Sequence, residues 1–370
     1  MPDMKIVVTG AQGFIGKNLC LMLEERGYSD IVRVDRETAQ IELETGLHSA
    51  DFVFHLAGIN RPQHEDEFKE GNTNLTNRIL LELEKSGRKV AIILSSSIQA
   101  TYNNSYGVSK AEAEALVTAY GKKTEANYFI YRFPNVFGKW CRPNYNSFIA
   151  TFCHNIANGI DIQVNDPSAE VNLVYIDDVC NELVSLVDGK HKPGFRKVSP
   201  EYPTTVGAVA DLLYKFKESR SNLVTEDVGV GLIRALYSTY LSYLTPEQFS
   251  YRVPAYGDER GVFCEMLKTP SAGQFSFFTA HPGITRGGHY HHSKNEKFLV
   301  IKGQALFKFE NVITGERYEL TTSEDSPQIV ETVPGWTHDV TNIGNSELVV
   351  MLWANEIFDR ENPDTITRAL

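Results

Sequence analysis

The sequence predicts an α/β domain built on a doubly wound parallel sheet, followed by a smaller all-β domain. Three observations predict it. Short β-branched runs alternate with longer amphipathic stretches through the first part of the chain, a glycine-rich turn follows the first run, and after about Gln248 the texture changes to short alternating strands broken by Gly and Pro. At 370 residues the chain exceeds what one hydrophobic core usually serves, so two domains are expected, over 1–246 and 247–370.

Taken in order, Lys5–Thr9, Ile31–Asp35, Phe52–Leu56, Val90–Ser95 and Asn127–Arg132 are the expected parallel strands. Asn18–Arg26 and Asn74–Glu84 repeat apolar residues three and four apart, as helices packed on a sheet do. Val228–Leu244 is apolar over much of its surface, but Arg234 and its short length make it a core helix instead of a membrane span. Beyond a short linker, Gly273–Ala280, Lys297–Ile301, Ala305–Phe309, Ile329–Val333 and Leu348–Trp353 are expected strands of a sandwich or barrel.

Composition narrows the function. With 42% hydrophobic and 22% charged residues the chain lies in the ordinary globular range. The net charge of −11, without any cluster of Lys and Arg, disfavours nucleic acid as a partner. No apolar run is long enough for a membrane span, and the amino terminus enters a strand instead of a leader, so the expected setting is cytoplasmic with no membrane partner. The five cysteines are scattered without a CxxC pair, which argues against both a disulfide framework and a thiolate zinc site.

In Met4-Lys-Ile-Val-Val-Thr-Gly10-Ala-Gln-Gly13-Phe14-Ile15-Gly16, three glycines spaced by three close an apolar strand and open a helix. Gly10 permits the tight turn, Gly13 lets backbone approach a pyrophosphate, and Gly16 lets the helix pack on the strand, while the helix amino end with Phe14 and Ile15 faces the anion. A glycine-rich loop alone is also ordinary turn chemistry; the strand and helix around it are what point to a dinucleotide. Asp35 ends the next strand, where a carboxylate accepts bonds from ribose hydroxyls, whereas Arg36 beside it suits a 2′-phosphate. The pair leaves NAD and NADP both open, with NADP(H) the expected cofactor.

Ser95, Ser96 and Ser97 end the fourth apolar strand, and Tyr106 and Lys110 follow, four apart on one helix face. A lysine ammonium beside a phenol lowers its pKa, so Tyr106 can exchange a proton with a carbonyl oxygen while hydride moves to carbon, and Ser97 orients that oxygen. By themselves a Tyr and a Lys at this spacing are a solvated helix face. After a dinucleotide loop and a strand-end serine they form a catalytic set.

Over about residues 4–245 the chain resembles the extended short-chain dehydrogenase/reductases that act on nucleotide sugars. Besides the glycine loop, the resemblance rests on Phe54-His-Leu-Ala-Gly58, Tyr106-Gly-Val-Ser-Lys110, Tyr131-Arg-Phe-Pro-Asn-Val-Phe-Gly138 and Val174-Tyr-Ile-Asp-Asp-Val179. It implies a Rossmann-type sheet, with Ser97, Tyr106 and Lys110 catalytic and Lys110 also holding the nicotinamide ribose. Leu56 and Ala57 would flank the cofactor, and Asn135 would lie near the sugar nucleotide. Only eight residues separate Ser97 from Tyr106, where the family has a longer loop, and Ser96 stands one residue away. Register against the family motif selects Ser97.

In the β-rich part, Gly287-Gly-His289-Tyr-His291-His292-Ser-Lys-Asn-Glu296 offers imidazoles two apart, facing one side of a strand, and a carboxylate five residues further on. His338, in Pro334-Gly-Trp-Thr-His338, adds a fourth donor. Any one of these histidines is more often structural, but three imidazoles with one carboxylate suit Zn, Fe, Ni or Mn, and Zn is the expected divalent metal. The two stretches resemble the two cupin motifs, the first closely and the second loosely, which implies an all-β cupin (jelly-roll) domain.

Asp258-Glu-Arg260-Gly-Val-Phe263, Gln274-Phe-Ser276 and Arg286-Gly-Gly-His289 resemble the metal-free sugar-nucleotide 3,5-epimerases, implying substrate contacts for Arg260 and Arg286. In those relatives the histidine at the position of His289 is a general base; in a metal cupin it is a ligand. One imidazole cannot be both, because a ligand's lone pair is committed to the metal. His292, expected on the opposite face, is left as a candidate base or a surface histidine.

A reductase acting at C4 and an epimerase acting at C3 share a 4-keto sugar, whose carbonyl acidifies the C3 proton. The two domains in this order resemble the bifunctional enzymes of capsular polysaccharide synthesis. That resemblance implies a UDP-linked 4-keto-6-deoxy-HexNAc substrate, a UDP-2-acetamido-2,6-dideoxy-4-keto-hexose, epimerised at C3 by the cupin. NADPH-dependent C4 reduction would then yield UDP-2-acetamido-2,6-dideoxy-L-talose, on the route to UDP-N-acetyl-L-fucosamine. A homodimer is expected from the habit of both families. Two other readings stay open: a reductase whose cupin only dimerises, and a ligand sensor. An intact Ser97, Tyr106 and Lys110 set argues against the sensor.

Overall fold

The structure is a computed structural model that describes residues 4–187, 189, 191–249, 251–291, 294–312, 314–361 and 363–370. The chain divides into two compact units, one of Met1–Leu213 with Ser238–Tyr243 and the other of Tyr214–Tyr237 with Leu244–Leu370.

The first unit carries β1 (Ile6–Thr9), β2 (Ile31–Val34), β3 (Phe52–His55), β4 (Ala91–Ser97), β5 (Tyr128–Phe133), β6 (Asn135–Phe137), β7 (Glu170–Tyr175), β8 (Gly194–Arg196) and β9 (Tyr202–Thr205). All five strands expected from the sequence form, and with β8 they make a parallel sheet in the order β2-β1-β3-β4-β5-β8. The winding reverses between β1 and β3, which makes the sheet doubly wound and marks the point where ligands bind at the carboxyl ends of strands. β1 and β3 are buried along their whole length, because helices cover both sheet faces; that is why these strands read as unbroken apolar runs. On one face Val7, Val53, Ile92 and Ile130 pack with Leu47, Ile79, Leu83 and Val117 of the helices Gln40–Ser49, Leu75–Lys85 and Ser105–Thr124. A small separate sheet, β6-β7-β9, was not legible as strands in the sequence; it carries Asn135.

The second unit contains β10 (Ala255–Asp258), β11 (Gly261–Thr269), β12 (Gly273–Ala280), β13 (Thr285–Tyr290), β14 (Glu296–Lys302), β15 (Gln304–Asn311), β16 (Arg317–Ser323), β17 (Ile329–Glu331), β18 (Trp336–Asn342), β19 (Leu348–Ala354) and β20 (Ile366–Thr367). They form two antiparallel sheets, β10-β11-β12-β19-β14-β17 and β16-β15-β18-β13-β20. Phe278, Phe298 and Val350 of the first pack with Phe307, Phe309 and Val340 of the second. This is the jelly-roll architecture that the sequence led us to expect. The expected core helix is Gly231–Leu241, shorter than Val228–Leu244. Among the described residues no helix is long and apolar enough to cross a membrane.

Candidate active site and metal centre

At the winding reversal, the ends of β1 and β3 open into a crevice of about 1640 Å³ within the first unit. Gly10, Gly13, Phe14, Ile15 and Gly16 line it from the turn after β1, Asp35 and Arg36 from the end of β2, and Leu56 and Ala57 from beyond β3. Ser97, Tyr106, Lys110 and Asn135 line it too, so the crevice brings together every residue expected at the dinucleotide and catalytic sites.

The chain fits a dinucleotide there. Gly10 sits at φ 69°, and a Cβ on it would fall 2.8 Å from the Ala57 nitrogen; a Cβ on Gly16 would fall 2.2 Å from the Gly10 carbonyl. Only glycines let the turn and the helix approach so closely. The helix Phe14–Glu25 starts at Gly13 without a side-chain cap or an acidic residue in its first turn, leaving its amino end able to receive an anion. One carboxylate oxygen of Asp35 accepts the Glu37 N–H at 2.9 Å, whereas exposed Arg36 makes no hydrogen bond or ion pair among the described residues. A free guanidinium at this position suits the additional phosphate of NADP(H).

The strand alternation of β4 separates the two serines. Ser96 is buried and its hydroxyl donates to Glu114, which in turn takes two bonds from Arg132, at 2.9 and 2.7 Å. Ser96 therefore belongs to a structural network. Ser97 is half-buried, its hydroxyl accepts the Gln99 N–H at 3.2 Å, and it lies near enough to the Tyr106 phenol to lower the phenol's pKa. Burial raises the Tyr106 pKa, and the neighbouring Ser97 hydroxyl offsets part of that rise. The Lys110 ammonium is buried, donates to the Ser95 carbonyl at 3.0 Å, and stands 6.0 Å from the Tyr106 ring centroid. Burial lowers its pKa to about 8, with the Glu114 carboxylate opposing.

Three residues that the sequence reading passed over support this set. Asn72, in a π-helical turn at Lys69–Asn74, brackets Ile59 by accepting its N–H at 2.9 Å and donating to its carbonyl at 3.0 Å. Glu114 lies four residues beyond Lys110 on the same helix, a spacing that was legible. His55 bridges Thr9 and Thr76, each at 2.8 Å, and burial followed by the Lys110 charge lowers its pKa to about 3, so it stays neutral.

A Cβ on Gly58 would fall 2.9 Å from the Lys110 ammonium nitrogen and 2.7 Å from the Asn72 amide oxygen. What must move is therefore both the Lys110 ammonium and the buried Asn72 amide that brackets Ile59. Gly58→Ala is expected to cut kcat/KM by about tenfold or more while costing about 1–3 kcal/mol in stability. Steady-state kinetics beside thermal denaturation checks this; an unchanged kcat/KM would reject it.

In the second unit, His289, His291, Glu296 and His338 bring one ligand atom each within 4.8 Å of one another. β13 and β18 pair with His289 opposite His338, while Glu296 opens β14 in the other sheet and reaches across the barrel. Glu296 Oε2 lies 3.3 Å from His291 Nε2 and 3.6 Å from His338 Nε2. Burial alone would raise the Glu296 carboxyl, but the imidazoles of His291 and His338 and the Lys294 ammonium hold it well below the usual carboxylate range. Burial and then neighbouring His338 lower His289 to about 4, which leaves it neutral near pH 7. Both ring nitrogens of His338 are buried without a hydrogen bond. Three imidazoles and one carboxylate gathered in one buried cluster, with both ring nitrogens of His338 otherwise orphaned, fit a divalent cation.

Buried Lys294, unnoticed in the sequence, holds the other Glu296 oxygen at 3.1 Å. His292 lies outside the described residues.

Arg286 and His289 are three apart, which on a regular strand would put them on opposite faces. A bulge between Gly287 and His289 changes the register, so Arg286 pairs with Val340 and His289 with His338, two residues of β18 that share a face. Arg286 donates to the Thr279 carbonyl at 3.0 Å and lies over the Phe278 ring. Arg260 is exposed and ion-paired with Asp258 at the β10–β11 turn.

Comparison with known proteins agrees with this geometry. Residues 6–194 match the NAD dependent epimerase/dehydratase family, and residues 256–366 match the polysaccharide biosynthesis C-terminal domain. The chain is 56% identical, over 98% of its own length and 98% of the relative's, to UDP-2-acetamido-2,6-beta-L-arabino-hexul-4-ose reductase of Pseudomonas aeruginosa. It superposes with TM-score 0.91 and 44% identity on the capsular polysaccharide assembling protein CapF of Staphylococcus aureus, covering 99% of this chain and 100% of that one. The expected resemblance to a two-domain capsule enzyme is thus met along the whole chain. A UDP-glucuronic acid 4-epimerase of Bacillus cereus, at 18% identity and TM-score 0.55, shares the fold over 65% of this chain and 99% of its own.

Proposed function

Because the chain belongs to the NAD dependent epimerase/dehydratase family and carries a polysaccharide biosynthesis C-terminal domain, we propose that it is a cytoplasmic bifunctional nucleotide-sugar enzyme of capsule precursor synthesis. The C-terminal domain, 247–370, epimerises C3 of a UDP-2-acetamido-2,6-dideoxy-4-keto-hexose. The N-terminal domain, 1–246, reduces C4 with NADPH to UDP-2-acetamido-2,6-dideoxy-L-talose. The observation that carries the reductase reading is the Tyr106 phenol, gathered with Ser97 and buried Lys110 into one crevice with an uncapped helix amino end. The name of the P. aeruginosa relative supports the substrate class.

Tyr106, whose pKa burial raises from its ordinary phenolic value, carries the proton that it donates to the C4 carbonyl oxygen. Ser97 holds that oxygen in line, and Asn135 is placed for the sugar nucleotide. NADPH, when bound, supplies the hydride, so the C=O π bond becomes one C–H and one O–H bond. Lys110 holds positive charge close to the phenol as it gives up its proton.

Lys110 is charged below its pKa of about 8 and neutral above it, so kcat/KM is expected to fall as pH rises through about 8. A pH–rate profile measures this, and Lys110→Arg, permanently charged, is expected to lose that limb; an identical limb in both would assign it elsewhere.

His289, His291, Glu296 and His338 would hold the metal, with Zn the leading ion, and a bound cation supplies Lewis acidity toward a keto oxygen or ties the barrel together. Arg286 and Arg260 would contact the substrate. The epimerisation base is unassigned, since a ligand imidazole has no lone pair to spare. The assembly is read as a homodimer.

The test is incubation of the full chain with the UDP-linked 4-keto-6-deoxy-HexNAc in D2O with NADH or NADPH. NADPH oxidation, the L-talo product and deuterium at C3 are expected. Oxidation of neither dinucleotide would end the reductase reading, and reduction without C3 deuterium would end the epimerase reading.

A further inference from the structure

One wall of the crevice remains without an assigned occupant. The stations of a dinucleotide are taken by the turn after β1, by Asp35 and Arg36 beyond β2, and by Tyr106 and Lys110 of the helix Ser105–Thr124. The opposite stretch, beyond Asn135 and β6, contributes Trp140, Arg142 and Tyr145 to the same crevice.

This stretch combines a fixed main chain with exposed side chains. The Lys139 carbonyl accepts the Asn18 side-chain amide at 3.3 Å, and the Lys139 ammonium pairs with Asp177. The Cys141 carbonyl accepts the Tyr243 hydroxyl at 2.5 Å, and the Asn144 N–H donates to Thr151 at 2.9 Å. Between these anchors Trp140 is forced to φ 67°, a left-handed conformation that a bulky side chain avoids. Within the chain the indole meets the Lys139 ammonium, 5.4 Å from its ring centroid, yet it stays 49% exposed, and Tyr145 is 37% exposed. Strain held by several anchors around an exposed ring is the pattern of a prearranged ligand surface.

The chemistry of the three side chains selects the ligand. The Arg142 guanidinium sits 5.5 Å from the Tyr145 ring centroid and makes no ion pair among the described residues, so a cation is held in place with its charge unanswered. A planar indole and an uncommitted guanidinium two residues apart match an aromatic base joined to a diphosphate. We propose that Trp140, Arg142 and Tyr145 form the platform for the nucleoside diphosphate half of the substrate, Trp140 stacking on the base and Arg142 pairing with the diphosphate. The inference rests on the proposed function for its ligand class.

The experiment is calorimetric titration of UDP, and separately of NADPH, into the full chain and into Trp140→Asn and Arg142→Gln. Asparagine accepts a positive φ, so the first variant removes the ring without disturbing the loop, and both positions are exposed. Each variant is expected to weaken UDP binding about tenfold or more while NADPH affinity stays within about twofold. Unchanged UDP affinity in both variants would overturn the platform, and a parallel loss of NADPH affinity would reassign it to the cofactor. No UDP binding by the unaltered chain would sink the platform whatever the variants do. Reduction of the keto sugar, tested separately, decides the proposed function: retained reduction with unchanged UDP affinity in the variants rejects the platform alone.

Discussion

Tyr106→Phe is expected to abolish NADPH oxidation while the dinucleotide still binds and C3 deuterium exchange continues. The substitution removes one oxygen and leaves the ring, which packs against Phe68 at 5.4 Å between centroids, so the helix and crevice keep their shape. What disappears is the phenolic proton that lies beside the Ser97 hydroxyl and the Lys110 ammonium. Loss of a positioned general acid costs about 10²- to 10⁴-fold in rate. Single-turnover kinetics, with NADPH binding followed by fluorescence, separates the two effects. If oxidation persists at more than about a tenth of the original rate, Tyr106 is not the acid. Loss of C3 exchange in the same variant would mean that both reactions depend on one site, contrary to the division of labour proposed above.

His291→Ala is expected to empty the metal centre, taking bound metal from stoichiometric to near zero by elemental analysis. The imidazole is 1% exposed, with Nδ1 against the Asp364 carbonyl and Nε2 3.3 Å from Glu296. Its second-nitrogen bond orients the ring, the usual way a ligand histidine is held. Removing it takes away a donor and also one of the partners that keep the buried Glu296 carboxylate ionised. A buried charge that loses a partner costs about 3–5 kcal/mol, so unfolding of the C-terminal unit should occur at a lower temperature as well. Unchanged metal content would reject the ligand set; metal loss with undiminished C3 exchange would make the cation structural.

Much of the first unit was legible because its signals are local. The run Ile6–Thr9, the glycines at spacing three, and Tyr106 four residues before Lys110 are each read within one element or one turn, where backbone geometry translates spacing directly into direction. The same holds for His289 and His291. Asn72 was not legible, since its role comes from a π-helical turn that carries no distinctive residue pattern. Trp140 was passed over because a single tryptophan in a loop says nothing about the φ that four distant anchors impose on it.

By itself, the sequence determined the order of a doubly wound α/β unit and a β-rich unit, the dinucleotide turn, the tyrosine and lysine pair, and four candidate metal donors. Only the tertiary structure decided which serine faces the tyrosine: pairing of β4 within the sheet commits Ser96 to Glu114 and Arg132 and leaves Ser97 for Tyr106. It also decided that Arg286 shares a face with His289, and that Glu296 meets His338 from the opposite sheet. The physical reason is common to all three. Periodicity sets the direction of a side chain within its own strand, but a bulge, a partner strand or a facing sheet sets what that direction meets.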